Sequence, residues 1–348
     1  MAGRSPWWSP TALALGAAGL ALAVPGRRGR TAWAWLAKAV ALRVRTRRPD
    51  SAYDLLGVHD LRAHPYEDRG RRIVGMVGDG TFLTAVVRVE TGDAGLRPAG
   101  GGRELPLSLL ADALEVDGIA LASAQLVQQV RRVGQARGQG SSASAGVAPS
   151  LRLTWVALRL EPGLCVEAAA ARGGGFGGAQ RCLVRAADHV ASRITGAGLR
   201  AVVLDQEGIN SAALAAGCSA QGAARGHGGA DGEGARSGGE SVRAWHGGGL
   251  VHTAYAVTGG AEGARRLATA TAQDCRSATV GLTVRRRAGG RAVQVSGHVR
   301  VSCADERELD VSCRELEASA RAARVGIVRL DREQLTGVLA TLPLGGTR

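Results

Sequence analysis

Two short stretches, Val203-Leu204-Asp205-Gln206-Glu207 and Arg329-Leu330-Asp331-Arg332-Glu333, agree in residue type and in their surroundings. Each closes an apolar run, LRAVVLDQE or VGIVRLDRE, and each leads into a helical pattern. Upstream of the first lie the strand-like LRLTWVALRL (Leu151 to Leu160) and a helix ending near Ile194; upstream of the second lie AVQVSGHVRV (Ala292 to Val301) and the helix ADERELDVSCRELEASARAA. The order strand, helix, strand, helix thus occurs twice, in halves spanning about 119–217 and 277–343. A β-helix-β crossover predicts parallel neighbouring strands with a right-handed connection. A hairpin partner precedes each half, Ile119 to Val130 and Val280 to Arg287. The expected class is α/β: a mixed-sheet domain with internal duplication.

Before the repeats, RRIVGMVGDGTFLTAVVRVE reads as two strands joined by Gly78-Asp79-Gly80, and LPLSLLADALEV (Leu105 to Val116) as a short helix. Two segments rich in glycine and small residues, 134–149 and 219–240, bury too little surface to order themselves and are expected to be disordered. The α/β domain is therefore assigned to residues 51–348.

The first fifty residues are different. Trp7 to Pro25 is an uncharged run long enough, at about 1.5 Å per residue, to cross a hydrocarbon layer of about 30 Å. Trp7 and Trp8 would sit at one interface, with Arg27, Arg28 and Arg30 at the other. Residues 1–30 are accordingly expected to be a transmembrane anchor, N-terminus out and the domain in the cytoplasm. A signal peptide with Ala21-Leu22-Ala23 as cleavage site is the rival, opposed by the arginines that follow. Residues 31–50 are expected to form a basic juxtamembrane helix in which Trp33, Trp35 and Lys38 would meet lipid or a partner, with a solvated basic linker as the alternative. Of the net charge of +14, eight cations lie between Arg27 and Arg48 with no acid among them; Arg4 is a ninth, leaving +5 from Pro49 onward. The basic character thus belongs to the membrane-proximal segment and does not indicate nucleic-acid binding.

Catalytic signatures are missing. Lys38 is the only lysine and lies in AWLAKAV, so no Walker A loop exists. Gly173, Gly175 and Gly178 satisfy G-x-G-x-x-G only formally, because they follow an alanine-rich helix, and read as a flexible hinge. The six cysteines form no C-x-x-C, no histidine pair has zinc-binding spacing, and neither G-x-S-x-G nor Asp-x-Asp occurs. No cofactor or metal is expected, and the thiols would be small buried groups. The acids with suggestive symmetry are Asp205 with Glu207 and Asp331 with Glu333. Each pair precedes a helix, where capping and first-turn charge explain an acid; a catalytic role is the alternative.

The stretches LRLTWVALRLEPGLCVEAAAARGGG, HTAYAV and GHVRVSCADERELDVSCRELEASARAARVGIVRLDREQLTGVLATLPLGG resemble EccE, the membrane component of actinobacterial type VII (ESX) secretion systems. LPLSLLADALEVDGIALASAQLVQQV resembles the stretch after the family's hairpin. The resemblance implies a non-enzymatic subunit at the edge of an inner-membrane complex with EccB, EccC and EccD, the ATPase work residing in EccC. It also implies a glycosyltransferase-like α/β shape; the absent Asp-x-Asp argues against transferase activity, which stays the alternative through the repeated acids. The family shows two N-terminal spans where this chain shows one, from a misplaced start or a shortened member.

Overall fold

The computed structural model describes residues 61–90, 105–132, 150–217, 239–258, 263–265, 267, 277–287 and 292–346. All belong to the second of two compact units, Met1–Arg48 and Pro49–Arg348. The expected membrane span, the interfacial Trp7, Trp8, Arg27, Arg28, Arg30, Trp33, Trp35 and Lys38, and the segment 134–149 lie outside the described residues. Among the described residues no helix is long and apolar enough to cross a membrane.

The first half contains β1 (Arg62–Ala63), β2 (Tyr66–Glu67), β3 (Ile73–Val74), β4 (Val77–Gly78), β5 (Leu83–Glu90), helix α1 (Leu107–Asp112), β6 (Glu115–Val116), β7 (Ile119–Ala120), β8 (Ser123–Arg132) and β9 (Ser150–Leu160). Helices α2 (Val166–Ala170) and α3 (Gly175–Gly196), strand β10 (Arg200–Val203) and helix α4 (Gln206–Gly217) complete it. The second half contains β11 (Gly239–Glu240), β12 (Trp245–Gly247), β13 (Leu250–Val257), β14 (Ser277–Arg286), β15 (Val293–Cys303), α5 (Glu306–Ala322), β16 (Ile327–Arg329) and α6 (Gln334–Ala340). Of the segment 219–240 expected to be disordered, Gly239 and Glu240 instead pair with His246 and Trp245, and 219–238 lie outside the described residues.

One large sheet runs β1-β4-β5-β9-β8-β14-β15-β13-β12-β11, with β10 on β5 and β16 on β13. The order is a palindrome. Its centre is the antiparallel pair β8·β14, where Val127 stands opposite Gly281. The registers repeat as well: Leu83↔Leu160 and Ser123↔Arg159 in the first half correspond to Val251↔Cys303 and Ser277↔Ser302 in the second. A local twofold therefore passes between Val127 and Gly281 and relates the halves.

The expectation of parallel neighbours fails. Every strand pairing among the described residues is antiparallel. The crossover from β9 through α3 does reach a strand of the same direction, but β10 pairs with the far edge of β5, which lies between them. In the second half β13 separates β15 from β16 in the same way. The strand between is one the chain laid down earlier, and crossover pattern alone cannot show it.

Strand alternation sends side chains to two covered faces. On one, Val87, Leu126, Val156, Val280 and Val299 pack beneath α3 and α5. The buried stripes Leu183, Ala187, Val190, Ile194 and Leu309, Cys313, Leu316, Ala320 recur at helical spacing. Helix α5 starts in a capping box: Asp305 Oδ1 accepts the Glu308 amide at 2.9 Å, and Glu308 Oε2 accepts the Ala304 amide at 2.9 Å. On the other face Val86, Val127, Trp155 and Ala157 lie under α4 (Ile209, Ala212, Ala216) and α6 (Leu335, Val338). The result is three layers, helix on sheet on helix.

This second face carries polar strand residues that fasten main chain across the twofold. The fully buried Arg300 of β15 donates across the twofold to the Ala216 carbonyl at the end of α4, and Arg131 of β8, in the same half as α4, donates to Ala215 O at 2.9 Å. Conversely, first-half side chains hold the end of the second half. Gln125 donates to Ala340 O at 2.8 Å and accepts from Gly345 N at 2.9 Å, Ser123 donates to Gly345 O at 2.6 Å, and Thr84 donates to Leu344 O at 3.1 Å. Each half's last helix is thus secured by the other half.

His252 belongs to the same face. Its Nδ1 lies 2.8 Å from Ser302 Oγ and its Nε2 3.2 Å from Gly247 O. Burial, and secondarily the charge of Arg300, push its pKa down to about 3. A neutral ring with the proton on Nε2 satisfies both contacts, since a carbonyl can only accept.

Two measurements test this packing. A Cβ on Gly281 would meet Ala340 O at 2.3 Å, whereas one on Gly297 would make ordinary contacts of 3.4 to 3.5 Å. Gly281→Ala is therefore expected to lower stability by about 1 to 3 kcal/mol and Gly297→Ala by much less, read by urea denaturation. Below pH 6.5 the unfolded chain protonates His252 while the folded chain does not, so this residue's contribution is lost as pH falls from 6.5 toward 3. The slope approaches about 1.4 kcal/mol per pH unit inside that window, and His252→Gln should flatten it in denaturation series between pH 7 and 5.

Candidate functional site

The repeated acids occupy equivalent places after β10 and β16 but do different local work. Asp205 Oδ1 accepts the Gly208 amide at 2.8 Å across the first turn of α4, where Glu207 adds a second negative charge. Asp331 makes no such bond. It accepts from Arg329 Nε at 2.7 Å, and Arg332 takes a positive φ of 64° before α6 starts. Glu333 stands at the N-cap of α6 without a side-chain cap bond. The Leu335 amide is met instead by Glu240 of β11, 3.3 Å away. A carboxylate distant in sequence has taken over, which no local pattern could reveal.

Nor do the two pairs converge. Seven strand spacings separate β10 from β16 along the sheet, about 34 Å at about 4.8 Å each. Paired carboxylates acting on one bond stand within about 10 Å of each other.

Around Asp331 lies a denser polar cluster. Tyr255 of β13, nearly fully buried, donates its hydroxyl to Glu317 Oε1 of α5 at 3.0 Å, and Arg329 Nη1 lies 4.0 Å from the same oxygen. Burial, then the neighbouring Cys313 and Glu317, hold the Tyr255 phenol above its usual range. Partial burial opposes the Arg329 charge, but the bond to Asp331 and the proximity of Tyr255 and Glu317 outweigh it and raise its pKa. Register places Val87 and Val203 where the second half has Tyr255 and Arg329. An apolar contact in one half is thus a chain of Cys313, Tyr255, Glu317, Arg329 and Asp331 in the other. Every charge in that chain has a partner, and burial raises the Cys313 thiol, so the cluster holds α5 and β16 against β13 and offers no poised nucleophile.

Other candidates resolve similarly. Cys165, Cys182, Cys303 and Cys313 are buried free thiols; Cys218 and Cys275 lie outside the described residues. Burial lowers the His298 pKa, with Arg285 adding to the effect, which leaves this β15 histidine neutral. Among the described residues no three His, Cys, Asp or Glu side chains gather to hold a metal ion. Gly173 and Gly174 form the turn between α2 and α3, and Gly175 opens α3, all at positive φ; Gly178 sits where a Cβ would meet Ala169 O at 2.4 Å. This glycine run is a tight helix-to-helix junction and follows no strand.

No curated protein matches the chain. Residues 148–257, from β9 through β13, match the family model described as a putative type VII ESX secretion system translocon, EccE. Over that span the chain is similar to EccE, and the resemblance first seen in its sequence holds there.

Proposed function

We propose that the chain is a non-enzymatic, membrane-anchored subunit of a type VII protein secretion complex, making protein contacts at its periphery with EccB, EccC and EccD-type subunits. The match of residues 148–257 to EccE carries this reading. Two further observations support it. The polar groups around the repeated acids and the C-terminal segment are spent on one another or on main chain, as Tyr255 with Glu317, Arg329 with Asp331 and Gln125 with the 340–345 segment are. The uncharged run Trp7 to Pro25, closed by Arg27, Arg28 and Arg30, has the length and flanks of a span with the domain on the cytoplasmic side.

Membrane fractionation tests the anchor: detergent, and not high salt alone, is expected to release the protein, which should then copurify with the other core subunits. Release by salt, or a mature chain found outside the cell without its first two dozen residues, contradicts it. The acids are tested separately. Asp205→Ala should cost about 0.5 to 2 kcal/mol of stability by loss of a cap, and the double variant Asp205→Ala, Asp331→Ala should still assemble and support secretion. A double variant that assembles normally yet abolishes secretion would favour the membrane-bound, glycosyltransferase-like enzyme instead.

A further inference from the structure

The first half carries two partly exposed insertions that the second lacks. His64–Met76, with the β2-β3 hairpin, stands between β1 and β4, where the second half needs only Ser241–Ala244 between β11 and β12. A 3-10 turn (Pro162–Leu164), α2 and the glycine junction lie between β9 and α3, where the second half passes from β15 to α5 through Ala304 and Asp305 alone. This latter insertion brings a thiol to a second thiol on α3.

Cys165 is the N-cap of α2, and Cys182 lies two turns into α3. Gly173 and Gly174 reverse the chain between the two helices, and Gly178 lets their backbones touch, since a Cβ there would meet Ala169 O at 2.4 Å. Cys165 stands four residues before Ala169, whose amide donates to the Cys165 carbonyl at 2.9 Å, and Cys182 stands four residues after Gly178. Each thiol is therefore one helical turn farther from the junction than that backbone contact, on the same side of its helix. The register sets them face to face, and the two thiols are in hydrogen-bonding contact. Both are buried, Cys165 to 4% exposure and Cys182 completely. Cys165 Sγ donates to Pro162 O at 3.8 Å, while Arg172, anchored on Ala168 O at 3.0 Å, donates to Cys182. Burial raises the pKa of both thiols, and Arg172 opposes that rise. The other buried thiols keep different company: Cys303 donates to Ser312 Oγ at 3.5 Å, and Cys313 lies against Tyr255 and Thr253.

A thiol pair at this place can change state without disturbing the sheet. Helix α2 has five residues and no side-chain cap, its outer residues Val166 and Glu167 are exposed, and it belongs to a segment that the second half does without. Local opening of so short a helix admits a small molecule to the thiols while the core stays folded. A disulfide needs Cα atoms about 5.5 to 6 Å apart, and two backbones in contact one turn away provide that closeness. We infer that Cys165 and Cys182 are a reversible dithiol-disulfide pair whose oxidised form ties α2 to α3, the oxidant being a low-molecular-weight disulfide. In the first step the Cys182 thiolate, favoured by Arg172, attacks one sulfur of the small disulfide; that S–S bond breaks, and one small thiol leaves with the proton Cys182 gave up. In the second the Cys165 thiolate attacks Cys182 Sγ, the intrachain S–S bond forms, and the other small thiol leaves with the Cys165 proton. The protein loses two protons and two electrons, and the small disulfide gains them.

The full-length protein in detergent, equilibrated with mixtures of reduced and oxidised glutathione, quenched in acid, alkylated and digested with trypsin, tests the pair by mass spectrometry. Cleavage after Arg159, Arg172, Arg181 and Arg185 leaves the thiols on separate peptides, Leu160–Arg172 and Cys182–Arg185. The disulfide therefore joins two peptides at a mass two hydrogens below their sum. At one glutathione ratio the linked form, relative to the reduced form, is expected to be about tenfold or more higher in the native protein than in concentrated urea, and dithiothreitol should reverse it. Cys165→Ala, checked for folding by circular dichroism, should carry glutathione on Cys182 in place of the link. A pair that stays reduced in the native protein at every ratio overturns the proposal. So does a link that forms no more favourably in the native protein than in urea, or a native protein in which Cys165 or Cys182 joins a different cysteine instead.

Discussion

The architecture depends on the antiparallel pairing of β8 with β14. It is the one seam at which the sheet of one half becomes the sheet of the other, and its register, Val127 opposite Gly281, fixes everything outward from it. A one-residue slip would turn each strand's side chains to the wrong face. The seam is reinforced from above: Arg300 and Arg131 fasten α4, while Gln125, Ser123 and Thr84 fasten the chain after α6. The last helix of each half takes a hydrogen bond from a side chain of the other, so the domain is an interlocked pair of units.

The repeated strands and helices were legible because each obeys its own periodicity. LRLTWVALRL opens in apolar-polar alternation, and α5 announces itself with Asp305 and Glu308 around a 3-4 spaced apolar stripe. The direction of neighbouring strands was not legible. Pattern reports that β9 and β10 run the same way, but whether β5 slides between them is decided by long-range pairing. The short strands β3, β6 and β7 were merged into longer elements, and β2 was not read, for a related reason, since two-residue strands leave no periodicity to count.

The same limit applies at the candidate site. That Asp205 and Asp331 precede helices could be read directly; that only Asp205 bonds the helix it precedes could not. The second half shifted capping to Glu240 and used Asp331 to hold Arg329 over Tyr255 and Glu317. Once two copies of a unit lie in one chain, each can exchange an apolar contact for a polar one provided the partners change together, and Val87 against Tyr255 records such an exchange. The exposed insertions of the first half are the complementary case, additions that leave the shared frame intact.

The fastening of the 340–345 segment has a temporal side. Thr84, Ser123 and Gln125 are made early in synthesis, while the main chain they grip is the latest-made part of the described fold, more than two hundred residues downstream. Such distant contacts are slow to find and come last. Until residues 340–345 arrive, the polar and apolar side chains on that underside of the opening strands stay wet. The packing of the early strands thereby depends on residues more than two hundred positions later in the sequence.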